Sequence, residues 1–180
     1  MGIRIPEESI ARLEAIGKNM NLSANKVAKN AIIEWLDINY IVKRQNMVIF
    51  GAPIIAFLLE HTGIEKMEKL VKLNAERGAD FFQFILDKPL TRKSMEEFLV
   101  SLPRVFGRNG LMWFEHIEAV KKDDKVILKA FHALGKVWSQ YYIMLSDYTM
   151  EHFFDYEPIK ETKNYSESSI FLEYVPKTKS

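Results

Sequence analysis

The sequence contains no cysteine, which removes disulfides, thiolate nucleophiles and any cysteine-ligated zinc site. No Gly/Ser-rich or Pro-rich linker, internal repeat or low-complexity segment interrupts it, so any two domains must join tightly. An excess of charge of one sign is missing too. With 25 Lys or Arg against 24 Asp or Glu the net charge is +1, so there is no general basic footprint and any nucleic-acid affinity has to be local. The apolar run from Met47 to Leu59 is broken by Gly51 and Pro53 and falls short of the roughly 20 residues that cross a bilayer, so it is expected in a core and no membrane partner is expected. The amino terminus lacks the basic and apolar regions of a signal peptide, and a cytoplasmic location is expected. Neither a P-loop nor a dinucleotide fingerprint occurs. What is present is 48% hydrophobic and 27% charged residues over 180 positions, enough for one ordinary globular domain and a small appendage.

The most informative stretch is the first 36 residues. Ile3, Arg4 and Ile5 alternate like a strand, so Ile3 and Ile5 face one way and Gly2 and Arg4 the other. Pro6 stops the strand and opens a helix whose first turn carries Glu7 and Glu8, where negative charge favours the helix dipole. Ile10, Leu13, Ile16 or Gly17, and Met20 form an apolar stripe. After Asn19-Met-Asn-Leu22, Ser23 is a preferred N-cap for a second helix with Val27, Ala31, Ile32, Trp35 and Leu36 on its apolar side. One strand and two short helices bury too little alone and leave strand edges unpaired, so a partner is required.

In its R-I-P, I-x-x-L-E, L-S-x-N and A-I-x-x-x-L segments this stretch resembles the ribbon-helix-helix family of DNA-binding proteins, the Arc, MetJ and CopG type. The resemblance covers about a fifth of the chain, and one ribbon position is missing while another is glycine. It implies a homodimer or higher oligomer in which paired strands enter the major groove of double-stranded DNA. Gly2 and Arg4 then face DNA, with Arg4 placed to read guanine. Ser23, Ala24, Asn25 and Lys26 sit where the family anchors a phosphate, and Lys26 and Lys29 add attraction. Ile3, Ile5, Ile10, Leu13, Val27 and Trp35 are the implied dimer core. Residues 1–44 carry seven Lys or Arg and five Asp or Glu, which agrees in sign with such contacts.

The polar stretch Lys43 to Asn46 marks the boundary between a first domain, 1–44, and a second, 45–180. In the second, helical spacing runs through Ile54 to Leu59 and Ile64 to Asn74, with a break at Gly78, then Ala79 to Leu86 and Ser94 to Leu102, closed by Pro103. A hairpin follows, with Lys125 and Lys129 alternating against Val126, Leu128 and Ala130, then a helix from Ala133 to Glu151 and a second hairpin over Tyr156 to Val175. The fold class expected is α+β, a ribbon-helix-helix domain followed by a mainly helical domain with antiparallel hairpins.

Chemistry-bearing residues are few. His61, His116, His132 and His152 show no paired ligand spacing, so no metal or other cofactor is expected. The aromatic density from Phe81 to Tyr142 is first of all core, and second a pocket for a small apolar ligand. His132 and Ser139 suggest a nucleophile and base, but Ser139 lacks a nucleophile-elbow glycine frame and no orienting acid is specified, so no catalytic residue is assigned and no enzyme expected. The function expected is a homodimeric DNA-binding transcriptional regulator whose second domain senses a ligand or controls assembly. The alternative is a protein-interaction or small-ligand module, antitoxin-like in one variant, whose first domain only dimerises. A hydrolase is the third reading.

Overall fold

In the computed structural model, which describes residues 4–44, 51–108 and 110–178, helix begins directly after Pro6. The chain divides into two compact units, Met1–Met47 and Val48–Ser180.

In the first unit, α1 (Glu7–Met20) starts with the Ser9 and Ile10 N–H groups donating to the Pro6 carbonyl. It ends at Asn21, whose φ of 55° is left-handed, and Leu22 N–H donates to Gly17 O at 2.8 Å. A methyl group on Gly17 would stand 2.5 Å from Leu22 O, so glycine is what lets the chain reverse so tightly. Ser23 caps α2 (Ala24–Glu34), its Oγ accepting the Lys26 N–H at 3.2 Å. A π turn over Trp35–Asn39 and a short α3 (Tyr40–Arg44) continue from it.

No strand precedes these helices among the described residues. Arg4, Ile5 and Pro6 are exposed and form no strand pair with another described residue, so the ribbon-helix-helix resemblance is corrected. The Ile3-Arg4-Ile5 alternation is short, and Pro6 has no N–H to give a ladder, so the segment serves as the lead-in to α1. With the ribbon go the readings built on it: the ribbon-helix-helix fold class, the DNA-binding regulator and the double-stranded DNA partner. The homodimer paired through that ribbon goes too, as does the alternative in which the same domain only dimerises.

The second unit is a mixed α+β structure with a C-terminal antiparallel sheet. Its helices are α4 (Ala52–Glu60), α5 (Ile64–Leu86), α6 (Met95–Phe106) and α7 (Lys136–Phe154). Its strands are β1 (His116–Lys122), β2 (Lys125–Phe131), β3 (Tyr156–Pro158), β4 (Asn164–Tyr165) and β5 (Ser169–Pro176). They pair in the order β1-β2-β5-β3, with β4 also on β5. The two expected hairpins are therefore one sheet, because β2 pairs on both sides. Leu128 lies opposite Ala119 and Leu172, and Ala130 opposite Ile117 and Ile170, so one register makes a continuous buried row across three strands. On the other face Glu118 lies opposite Lys129 at 4.0 Å.

Two breakers fail to break. α6 continues past Pro103 to Phe106, and α5 runs through Gly78 because Met67, Val71, Ala75, Ala79 and Phe82 keep its buried stripe continuous. Glycine inside a helix costs about 1 kcal/mol relative to alanine, and a Cβ at Gly78 meets nothing within 4 Å. Gly78→Ala should therefore stabilise the protein by about 1 kcal/mol, a rise of about 3 °C in Tm by calorimetry. A lower Tm would mean that the site is not open.

The core lies between the helices and the sheet. Phe82 meets Phe98 at 4.8 Å, Phe98 meets Phe154 at 4.9 Å, and Trp113 stacks on Phe106 at 4.5 Å and meets Trp138 edge-on at 5.3 Å. Phe114 meets Tyr142 at 4.5 Å. The aromatic residues fill space against each other, which corrects the expectation that they surround a small apolar ligand.

Candidate functional site

Among the described residues, His132 and Ser139 are a sequence-nominated pair whose side chains the fold brings together. His132 follows the end of β2, and its N–H donates to Ser168 O at 3.0 Å. The chain then turns through Gly135, at φ 82°, into α7, which places Ser139 one turn inside the helix. His132 Nε2 and Ser139 Oγ are 2.9 Å apart, and both residues are buried.

The direction of each hydrogen bond decides what this pair can do. The Leu134 N–H donates to His132 Nδ1 at 3.2 Å, so that nitrogen carries no proton and the neutral ring has its proton on Nε2. Nε2–H donates to Ser139 Oγ, and the Ser139 hydroxyl donates to Ser166 O at 2.6 Å. A nucleophilic serine needs the reverse, with the imidazole accepting its proton. Burial holds the His132 pKa below its ordinary value, and the Glu115 carboxylate opposes that only in part. The arrangement knits the end of β2, the start of α7 and the turn before β5. That turn is itself fastened, with Ser166 Oγ 2.7 Å from Ser169 Oγ and accepting the Ser168 N–H.

A second polar cluster lies along α7. Tyr174 on β5 donates to Asp147 Oδ1 at 3.0 Å, and Lys163 donates to the other carboxylate oxygen. Burial, then the charge of Asp147, pushes the Tyr174 phenol well above its usual range, and burial does the same to Tyr142. Both stay protonated at ordinary pH, and Tyr174 is the donor to Asp147. At the C-terminal end of α7, Arg92 donates to Phe154 O at 3.1 Å and Asp155 O at 2.7 Å, capping carbonyls that the helix leaves unpaired. Nothing in the sequence marks Arg92, Asp147 or Lys163, because their partners lie 16 to 63 positions away.

Comparison with protein-family models, curated proteins and solved structures finds no match.

The remaining nominated residues do not converge on a reaction centre. Gly2 and Ile3 lie outside the described residues. Arg4 is exposed ahead of α1, Ser23 is occupied as a cap, Ala24 is half-buried, and Asn25, Lys26 and Lys29 are exposed on α2. Of the residues assigned to a dimer core, Val27 is buried and Leu13 half-buried, whereas Ile5, Ile10 and Trp35 are exposed and Trp35 lies 5.6 Å from Tyr40. His61 Nδ1 donates to Phe57 O, His116 sits beside Phe131 and His152 stacks on Tyr148. Among the described residues no three His, Asp or Glu side chains gather as metal ligands, and no helix is long and apolar enough to cross a membrane.

Large apolar side chains are exposed on α4 and on α5. Ile54, Phe57 and Leu58 on α4 are 52%, 60% and 51% exposed, and Ile64 and Leu73 on α5 are 64% and 55% exposed. Among the described apolar side chains of α4, Leu59 alone is buried. A solvated helix would place polar residues there.

Proposed function

We propose that the chain works by protein–protein contact through the helices of its C-terminal unit and carries out no chemistry of its own. The observation that carries this reading is the run of exposed apolar side chains on α4 and α5, a pattern that marks interaction surfaces. It concerns a different part of the chain from the N-terminal segment corrected above. The wiring of His132 and Ser139 supports the second half, since both protons are committed to structural acceptors. A cytoplasmic setting goes with the reading and with a cysteine-free composition; cell fractionation is the check.

Phe57 and Leu58 are more than half exposed, so replacing both by serine should shift Tm by only about 3 °C while lowering the binding of an apolar-surface dye several-fold. Unchanged dye binding would remove the support for a contact surface. A fluorophosphonate probe tests the other half: no labelling at Ser139 is expected. Labelling accompanied by ester turnover, both lost in His132→Gln, would overturn the reading.

A further inference from the structure

The exposed side of α5 carries a pattern of its own. Leu70, Leu73, Arg77, Asp80 and Phe84 recur at alternating steps of three and four, which is the spacing of a seam between two helices. All five are exposed, Leu70 to 38% and Phe84 to 40%, while the buried stripe of Met67, Val71, Ala75, Ala79 and Phe82 occupies a different side of the same helix. Arg77 and Asp80 lie at the centre of the seam, and neither forms an ion pair with another described residue.

We propose that α5 packs antiparallel against α5 of a second copy of this chain. This rests on the reading of the protein as one that works by contact, and it names the partner. The charges identify it. A two-fold axis crossing the helix between Gly78 and Ala79 places Arg77 beside the partner's Asp80 and Asp80 beside the partner's Arg77. The same axis sets Leu73 beside the partner's Phe84 and Phe84 beside the partner's Leu73, so one operation satisfies the charged and the apolar positions together. Parallel pairing would set Arg77 against the partner's Arg77 and Asp80 against the partner's Asp80, which like-charge repulsion disfavours. The stretch from Leu70 to Phe84 is about 21 Å long at 1.5 Å per residue, four turns of helix. An arginine–carboxylate pair can be bidentate, which offsets the cost of covering both charges.

The test is sedimentation equilibrium of the full chain across a concentration series. Wild type should dimerise reversibly. Arg77→Asp and Asp80→Arg should each weaken the dimer about ten-fold or more, because each puts like charges together twice per dimer. The double variant Arg77→Asp with Asp80→Arg restores opposite charges across the axis and should recover most of the loss, with circular dichroism unchanged throughout. Leu73→Glu should leave a monomer. Three results overturn the pairing: a wild-type monomer at all concentrations, a dimer indifferent to the single reversals, or a double variant as weak as the singles. A wild-type monomer whose dye binding still falls on replacing Phe57 and Leu58 overturns this proposal and leaves the contact reading standing. Ser139-dependent turnover removes that reading whatever the oligomeric state.

Discussion

Gly110→Ala is expected to lower stability by about 3 kcal/mol, a fall of about 9 °C in Tm. A Cβ at Gly110 would stand 2.1 Å from Val105 O and 2.4 Å from Arg104 O, so the obstacle is backbone that cannot rotate away. The loop lies this close because it supplies donors to the end of α6: Leu111 N–H to Val105 O at 2.7 Å and Phe114 N–H to Phe106 O at 3.0 Å. Those carbonyls have no partner further along the helix. Relief of the clash has to displace either the last turn of α6, where Val105 is fully buried, or the loop carrying Trp113, which stacks on Phe106. Chemical denaturation measures the loss, and near-ultraviolet circular dichroism should show a changed tryptophan environment. An unaltered midpoint would show that the loop does not approach α6 so closely.

The glycines of Gly107-Arg-Asn-Gly110 mark a turn in the sequence, but not a close approach, because spacing reports local conformation and not what lies above a backbone. The same limit runs through the fold. Val126, Leu128 and Ala130 announce a half-buried strand through their period of two, and Met67, Val71 and Ala75 announce a helix through their period near four, since those periods are set by neighbouring residues. The pairing of β2 with β5 is not announced, since Leu128 meets Leu172 across α7 and two turns. At Gly78 the local cost of about 1 kcal/mol was outweighed by the buried stripe on either side of it. At the N-terminus the error ran the other way. Two isoleucines around Arg4 fit a strand, but a strand exists only through its partner, and residues 4–6 have none among the described residues.

The candidate site divides along the same line. His132 and Ser139, seven residues apart and joined by a turn into a helix, are weighed in the sequence as a nucleophile and base and set aside, and the fold places their side chains 2.9 Å apart. What the sequence could not give is the Leu134 N–H that puts the imidazole proton on Nε2, or the Ser166 carbonyl that takes the serine proton. Those two backbone groups separate a strut from a nucleophile. The α5 seam was within reach as a heptad, but it competes with a second stripe on the same helix, and only burial shows which stripe faces the core.

The strut makes the other large prediction. Ser139→Ala should cost about 2–4 kcal/mol, because it leaves the buried His132 Nε2–H unpaired, at about 1–3 kcal/mol, and takes away the hydroxyl's bond to the Ser166 carbonyl, at about 1 kcal/mol. Removing the imidazole as well, in His132→Leu with Ser139→Ala, takes away that orphan, so the pair should lose less than the sum of the singles. The pH dependence follows from the same geometry. Burial depresses the His132 pKa in the folded protein below the ordinary value of about 6.5 that the unfolded chain keeps. The unfolded state therefore binds the proton more readily, and stability is complete above pH 6.5 and falls as the pH drops from there toward the lowered folded value. Protonation also breaks the Leu134 N–H bond, since Nδ1 is where the second proton must go. Denaturation midpoints at pH 7.5 and 5.5 should differ in the wild type, and His132→Gln should narrow that difference. An equal difference in the variant would place the pH-sensitive group elsewhere.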